Sequence, residues 1–304
     1  VSRRGSWSAL AAITAAIAAA LAACAATTTP LPSPPPCAII APSPPLGAPM
    51  LWRVERPGAA VVWLYGTIHD AGAGDVPAVA WHQLDTASVF VSELGGGEPD
   101  PLQLRALARL PWGVVLDQLL PPTDWWDLVD AMLGAMTEDE LRHARPWFAL
   151  VRLRARTARA ARPAMDAAMA AHAAARGIAV EPLESWRDQL AALDASVDAA
   201  DLAQAIRDRR SAACQVARLH AAYRAGDLSV LTRMLVDPDA GSDQRPARGD
   251  PLLAERNRRW LPRIERHLER GGGFVAVGLG HLLGDAGLPA MLARAGYHVT
   301  RAAM

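Results

Sequence analysis

"VVWLYGTIHD" (61–70) carries an apolar run into Tyr65, then Gly66, Thr67, Ile68 and His69; "GFVAVGLGHL" (273–282) repeats the design with Gly278 and His281. A short apolar run rich in β-branched and aromatic residues that stops at a glycine reads as a buried strand. The glycine lets the backbone turn closely, so the imidazole three residues on projects over the strand end. The echo continues downstream. Pro77 lies eight positions after His69 and Pro289 eight after His281, each opening a helical stretch that leads to "ASVFVSE" or "GYHVTR". Proline, with φ preset, suits the first turn of a helix. Both segments therefore read as strand, Gly-x-x-His loop, helix, strand, an internally duplicated βαβ unit.

Outward from these units, short apolar runs alternate with long helical patterns, which predicts an α/β fold with a mostly parallel central sheet and flanking helices. Strands are expected at 50–55, 60–66, 88–93, 178–182, 273–278 and 297–301. Large helical insertions fill about 100–176 and 186–270, with Pro121-Pro122-Thr123-Asp124 as a cap and Arg145-Pro146-Trp147 as a break. "DPDAGSDQRPARGDP" (237–251) reads as a loop.

The first 49 residues read differently. Arg3 and Arg4 precede a small-apolar stretch ending in Leu21-Ala22-Ala23-Cys24, the pattern of a signal peptide over 1–23 with a lipobox. Cleavage before Cys24 and lipidation of its sulfur would anchor the chain in a bacterial envelope membrane on the exported side. Ala25 lacks the acid expected for inner-membrane retention, which favours the outer membrane. Residues 24–49 are rich in Pro, Ser and Thr, an extended tether, so 50–304 is expected to be one α/β domain. With Cys24 lipidated, Cys37 and Cys214 remain, and in an exported protein a disulfide between them is plausible.

Acids and bases balance at 31 each, which gives no field to draw in nucleic acid. All the basic residues are arginines. Without lysine there is no Walker-type phosphate loop, no Schiff base and no Ser-Lys dyad, since guanidinium does not deprotonate. Neither G-x-S-x-G nor H-E-x-x-H occurs.

In a parallel sheet the ligand crevice lies beyond the carboxyl ends of the strands, where His69 and His281 both fall. "SVFVSEL" delivers Glu93 to that edge and "IAVEPLES" delivers Glu181 and Glu184, of which Glu181 reads as a solvated strand end. Two imidazoles with carboxylates and no thiolate make a ligand set for a divalent ion such as Mn, Co, Zn or Fe. A metal so held lowers the pKa of bound water while a spare carboxylate serves as base.

"LWRVERPGAAVVWLYGTIH", "VFVSEL", "RPWFAL", "MDAAMAAHAAARGIAVEPLESWRDQLAAL", "ERNRRWLPRIERHL" and "FVAVGLGHLLGDAGLPAMLARAGYHVTRA" together resemble the TraB/GumN family, related to the Tiki proteins and more distantly to erythromycin-esterase and ChaN-like folds. The resemblance spans roughly 50–303. It implies paired Gly-x-x-His motifs at Gly66/His69 and Gly278/His281, an early-strand glutamate at Glu93, a Leu-Glu-Thr-like element at Glu184 with Ser185 in place of threonine, and an Arg-Asn pair at Arg256 and Asn257. Met165 stands where a glycine is common before Asp166, and an Ala/Gly-rich loop follows Asp70. Tiki-like members imply metal-dependent proteolysis. The expectation is therefore a metal-dependent envelope hydrolase, most of all a peptidase acting on a peptide or small-molecule substrate. His69, His281 and Glu93 would hold the metal, Glu184 would support it, Asn257 would orient substrate or carboxylates, and Arg256 would do the same or stabilise an oxyanion. The alternatives are a ChaN-like haem- or metal-binding lipoprotein and an envelope adaptor without chemistry.

Overall fold

The computed structural model describes residues 47–69, 71–95, 99–157, 164–236 and 252–303. The signal peptide, Cys24, Cys37, nearly all of the tether, Asp70 and the loop expected at 237–251 lie outside the described residues. Among the described residues no helix is long and apolar enough to cross a membrane.

Six strands form one sheet: β1 (Leu51–Glu55), β2 (Val62–Thr67), β3 (Val89–Leu94), β4 (Ala179–Glu184), β5 (Gly273–Gly278) and β6 (His298–Arg301), in the order β4-β3-β5-β2-β1-β6. β4, β3, β5 and β2 run parallel, and β1 is antiparallel to both β2 and β6. The sheet is thus mixed and mostly parallel. β5 lies at its centre with every residue buried, which is why "GFVAVG" carries no polar side chain. Burying Phe274 and Val275 completely stabilises the fold by about 1.5–3 kcal/mol each. β4 is an edge strand, and Pro182 sits there because an edge tolerates a residue without an N–H.

The two Gly-x-x-His segments leave neighbouring strands in opposite directions. From β2 the chain passes through α1 (Ala78–Asp85) to β3, across β5; from β5 it passes through α5 (Leu288–Arg294) to β6, across β2 and β1. Right-handed crossovers send such connections to opposite faces. The carboxyl ends of β2 and β5 are thus the topological switch point of the sheet, the place where open α/β sheets take ligands. Pro289 lies in the first turn of α5 as expected, whereas Pro77 is one step earlier, at the cap of α1.

Between β3 and β4 the chain builds helices at Pro101–Leu107, Leu116–Leu119, Pro122–Met132, Glu138–Arg142 and Pro146–Thr157, then α2 (Met165–Ala175). With Trp186–Ser196 and Ala199–Asp208 the earlier ones bury a second apolar core around Trp147, Leu150, Leu193 and Ile206, separate from the core under the sheet. α3 (Ala212–Ala225), a helix at Leu228–Leu235 and α4 (Ala254–Arg270) lead back to β5. The helix cap expected at 121–124 is present, without a side-chain bond. Pro121 caps the helix at Pro122, no side chain caps it, and Asp124 is instead buried and bonded to Arg207 at 2.6 Å. Cys214 in α3 is disulfide-bonded.

Candidate functional site

The carboxyl edge of β4, β3, β5 and β2 gathers most of the predicted residues. Glu184 is the last residue of β4, Glu93 the last but one of β3, and Gly278 the last of β5. His281 follows within the 3-10 turn Leu279–Leu282. Arg256 and Asn257 come to this edge on the first turn of α4, where both are buried.

Arg256 is the hub. A guanidinium carries five N–H groups in a fixed fork, and all five find acceptors. Nε donates to Glu184 at 3.0 Å; Nη1 donates to the Leu252 carbonyl at 3.1 Å and to His281 Nε2 at 2.9 Å; Nη2 donates to Glu93 at 2.8 Å and Glu184 at 2.6 Å. The Trp260 ring lies 4.5 Å beneath the guanidinium, and its Nε1 donates to Glu184 at 3.2 Å. The other oxygen of Glu93 takes the backbone N–H of Gly278, which ties β3 to β5 at the edge.

His281 is wholly buried, packed 4.4 Å from the Trp260 ring centre. Asn257 Nδ2 donates to the carbonyls of His281 and Ala286, so its Oδ1 must be the atom 2.7 Å from His281 Nδ1. That fixes the tautomer: Nδ1 carries the proton and Nε2 accepts from Arg256. Burial, aided by the Arg256 charge, holds the imidazole well below its usual range, hence neutral at pH 7. Burial pushes the Glu184 carboxyl up against the pull of Arg256, with Glu93 adding to the rise. Burial also opposes the charge on Arg256, yet Glu93 and Glu184 outweigh it and push the guanidinium further up.

His69 has a different partner. Its Nδ1 lies 2.9 Å from Asp166 Oδ2, in the first turn of α2. Burial works against ionisation of Asp166, but the imidazole of His69 outweighs it and holds the carboxyl below its usual range, and the helix N-terminus favours the anion too. The loop after β2 is pinned so that this pair meets. The Met165 N–H donates to the Ala71 carbonyl at 3.0 Å, and Gly72 and Ala164 form an antiparallel bridge. Asp75 accepts from Arg224 of α3 at 2.6 Å. The Tyr223 hydroxyl lies 2.7 Å from the Gly66 carbonyl and 2.9 Å from the Tyr65 hydroxyl. A carbonyl only accepts, so Tyr223 donates to Gly66 and accepts from Tyr65. Burial of the pair pushes both phenols well up, so they are neutral donors at any ordinary pH.

The structure thus joins Glu93, Glu184, Arg256, Asn257 and His281 in one hydrogen-bonded cluster and sets His69 against Asp166. Sequence reading missed Asp166, Trp260 and Tyr223 as site residues; only the acid opening the "MDAAMAAH" helix offered a signal. Glu181 is exposed and lies 3.7 Å from His267, the solvated strand end it was read as.

A divalent ion needs open lone pairs converging on one point. His281 Nε2 accepts from a guanidinium, its Nδ1 is protonated, and every carboxylate oxygen of Glu93 and Glu184 already takes an N–H. As placed, these residues do not fit a metal held jointly by His69, His281 and Glu93. Among the described residues no group of three or more His, Cys, Asp and Glu side chains stands in a metal-holding arrangement. The direct oxyanion role expected of Arg256 meets the same obstacle, since it has no N–H left to give.

The chain belongs to the TraB/PrgY/gumN family, whose family model matches residues 50–301. No curated protein and no solved structure matches it.

Proposed function

We propose that this chain is an envelope hydrolase that cleaves an acyl bond, peptide bonds first, with His69 as general base and Asp166 as the group that orients it. The contact of 2.9 Å between His69 Nδ1 and Asp166 carries the reading. The carboxylate stands at ion-pair distance from Nδ1 without hydrogen-bond alignment; drawn into line by substrate, it holds the ring with Nε2 facing away, the arrangement that lets an imidazole take a proton from water and return it to a leaving amine. Position supports it as well, because His69 follows β2 at the switch point between β2 and β5. Asp166 keeps 37% of its side-chain exposure and His69 keeps 12%, whereas Arg256 and His281 are sealed.

In this scheme His69 removes a proton from water as the oxygen attacks the carbonyl carbon, and the same proton goes to the departing nitrogen. Arg256, Asn257 and His281 are positioning residues. They hold Glu93 and the end of β5 rigid beside the edge where His69 stands. A haem-holding reading would rest on His69 alone, because His281 offers iron no open imidazole nitrogen as placed.

The test is purified protein against peptide and ester libraries, with His69→Ala and Asp166→Asn alongside. Turnover that falls in both variants while circular dichroism is unchanged supports the reading. Full turnover in His69→Ala sinks it.

A further inference from the structure

We infer that Arg256 is the resident cation of the carboxyl edge: its guanidinium engages the lone pairs of Glu93, Glu184 and His281 that a divalent ion would need. The observation is the set of short contacts converging on one group, 2.6 Å to Glu184, 2.8 Å to Glu93 and 2.9 Å to His281 Nε2. Two carboxylates and one imidazole lone pair are the donors of many zinc and manganese sites. Here they all point at an arginine.

The substitution is chemically sensible. Guanidinium is weakly hydrated and never loses its proton, so it serves as a fixed charge in a sealed space. Its planar fork meets carboxylates edge-on, and its face rests on Trp260 at 4.5 Å. A metal entering this space would have to expel a side chain with no exposed surface and five satisfied donors. The wild-type cluster is therefore closed to divalent ions, and Glu93, Glu184 and His281 can hold one only by closing on a common point after the guanidinium leaves.

Removing that side chain should free the three donors to do so. Arg256→Ala leaves Glu93, Glu184 and His281 around a vacated space of guanidinium size. The experiment measures metal content by elemental analysis, and cobalt by its visible absorption, after incubation with Mn, Co or Zn and exhaustive dialysis. Wild-type protein, Arg256→Ala and Arg256→Ala/His281→Ala are compared. Expected are no stoichiometric metal in the wild type, a stoichiometric cobalt or zinc signal in Arg256→Ala with a raised melting temperature when metal is present, and loss of that signal in the double variant. Wild-type protein that retains stoichiometric metal lost on His281→Ala overturns the proposal, and that measurement does not need the Arg256 variant to fold. A folded Arg256→Ala that takes up no metal overturns it too. No substrate enters the measurement, so its failure and that of the hydrolase reading are separable.

Discussion

Arg256 donates Nη1 to His281 Nε2 at 2.9 Å, so a permanent cation and a fully buried imidazole share one hydrogen bond. The bond exists only while His281 is neutral. The consequence is a stability that depends on pH in the range where free histidine titrates.

The sign follows from linkage. In the unfolded chain His281 takes a proton near its usual value of 6.5. In the fold, burial and Arg256 hold its pKa well below that, so between the two the unfolded state binds more protons. Its contribution is complete above about pH 6.5 and is lost as pH falls, with a slope approaching about 1.4 kcal/mol per pH unit. His267, lowered mainly by burial, adds in the same direction. Urea denaturation at several pH values between 5 and 7 is expected to show stability falling with pH, and His281→Gln is expected to show a shallower slope. Equal slopes would refute the assignment.

The Arg256 cluster also predicts an asymmetry. Arg256→Met leaves Glu184, 4% exposed, without its partner and should cost about 3–5 kcal/mol, the range for breaking a buried ion pair from one side. Arg256→Met with Glu184→Gln removes the stranded charge and should recover part of the loss. Guanidinium denaturation of both proteins and of Glu184→Gln alone is the check. A double variant as unstable as the sum of the two single ones would show that the charges are not coupled.

Strands were the most legible part. Each expected strand matches an observed one to within two residues, because the apolar runs are short and bounded by glycine, proline or charge. The edge position of β4 was partly written in Pro182. Much less readable was the pairing of β1 and β6 into the antiparallel margin, since nothing in "LWRVE" or "HVTR" states a neighbour. Glu93, Glu184, Arg256, Asn257 and His281 were found as strand-end and family-like positions, but not their closure around Arg256. Which acceptors a guanidinium meets depends on residues far apart in the chain, as with Arg256 and Glu93. His69 was located from its strand, whereas Asp166 reaches it only through the pairing of Gly72 with Ala164.

The two Gly-x-x-His segments are physically linked through the first glycine. A Cβ on Gly66 would lie 2.5 Å from Leu279 Cδ1 and 3.3 Å from Leu279 Cα, in the turn that carries His281. Gly66→Ala should therefore cost about 1–3 kcal/mol through overpacking, and Leu279→Ala about 2–5 kcal/mol through the cavity it leaves. In the double variant the added methyl enters the vacated space, so the combined loss should fall short of the sum. Thermal or urea denaturation of the four proteins gives the coupling, and strict additivity would contradict the contact.

Asp166 tests the proposed chemistry most directly. Its carboxylate lies 2.9 Å from His69 Nδ1, so it selects the tautomer with the proton on Nδ1 and stabilises the imidazolium formed when His69 takes a second proton on Nε2. Asp166→Asn keeps the shape but lets the amide present either a donor or an acceptor, and it removes the charge. If His69 is the general base, turnover should fall about 10²–10⁴-fold, the usual worth of general acid–base catalysis, mostly in kcat. Rate should rise with pH through the His69 titration in wild type, and in Asp166→Asn that limb should move to lower pH, because an imidazolium without its carboxylate is the stronger acid. Asp166→Glu, which restores the charge on a longer arm, should recover part of the rate. A purely structural Asp166 would instead lower stability and leave the pH limb where it was, so the profile of the folded variant separates the two roles.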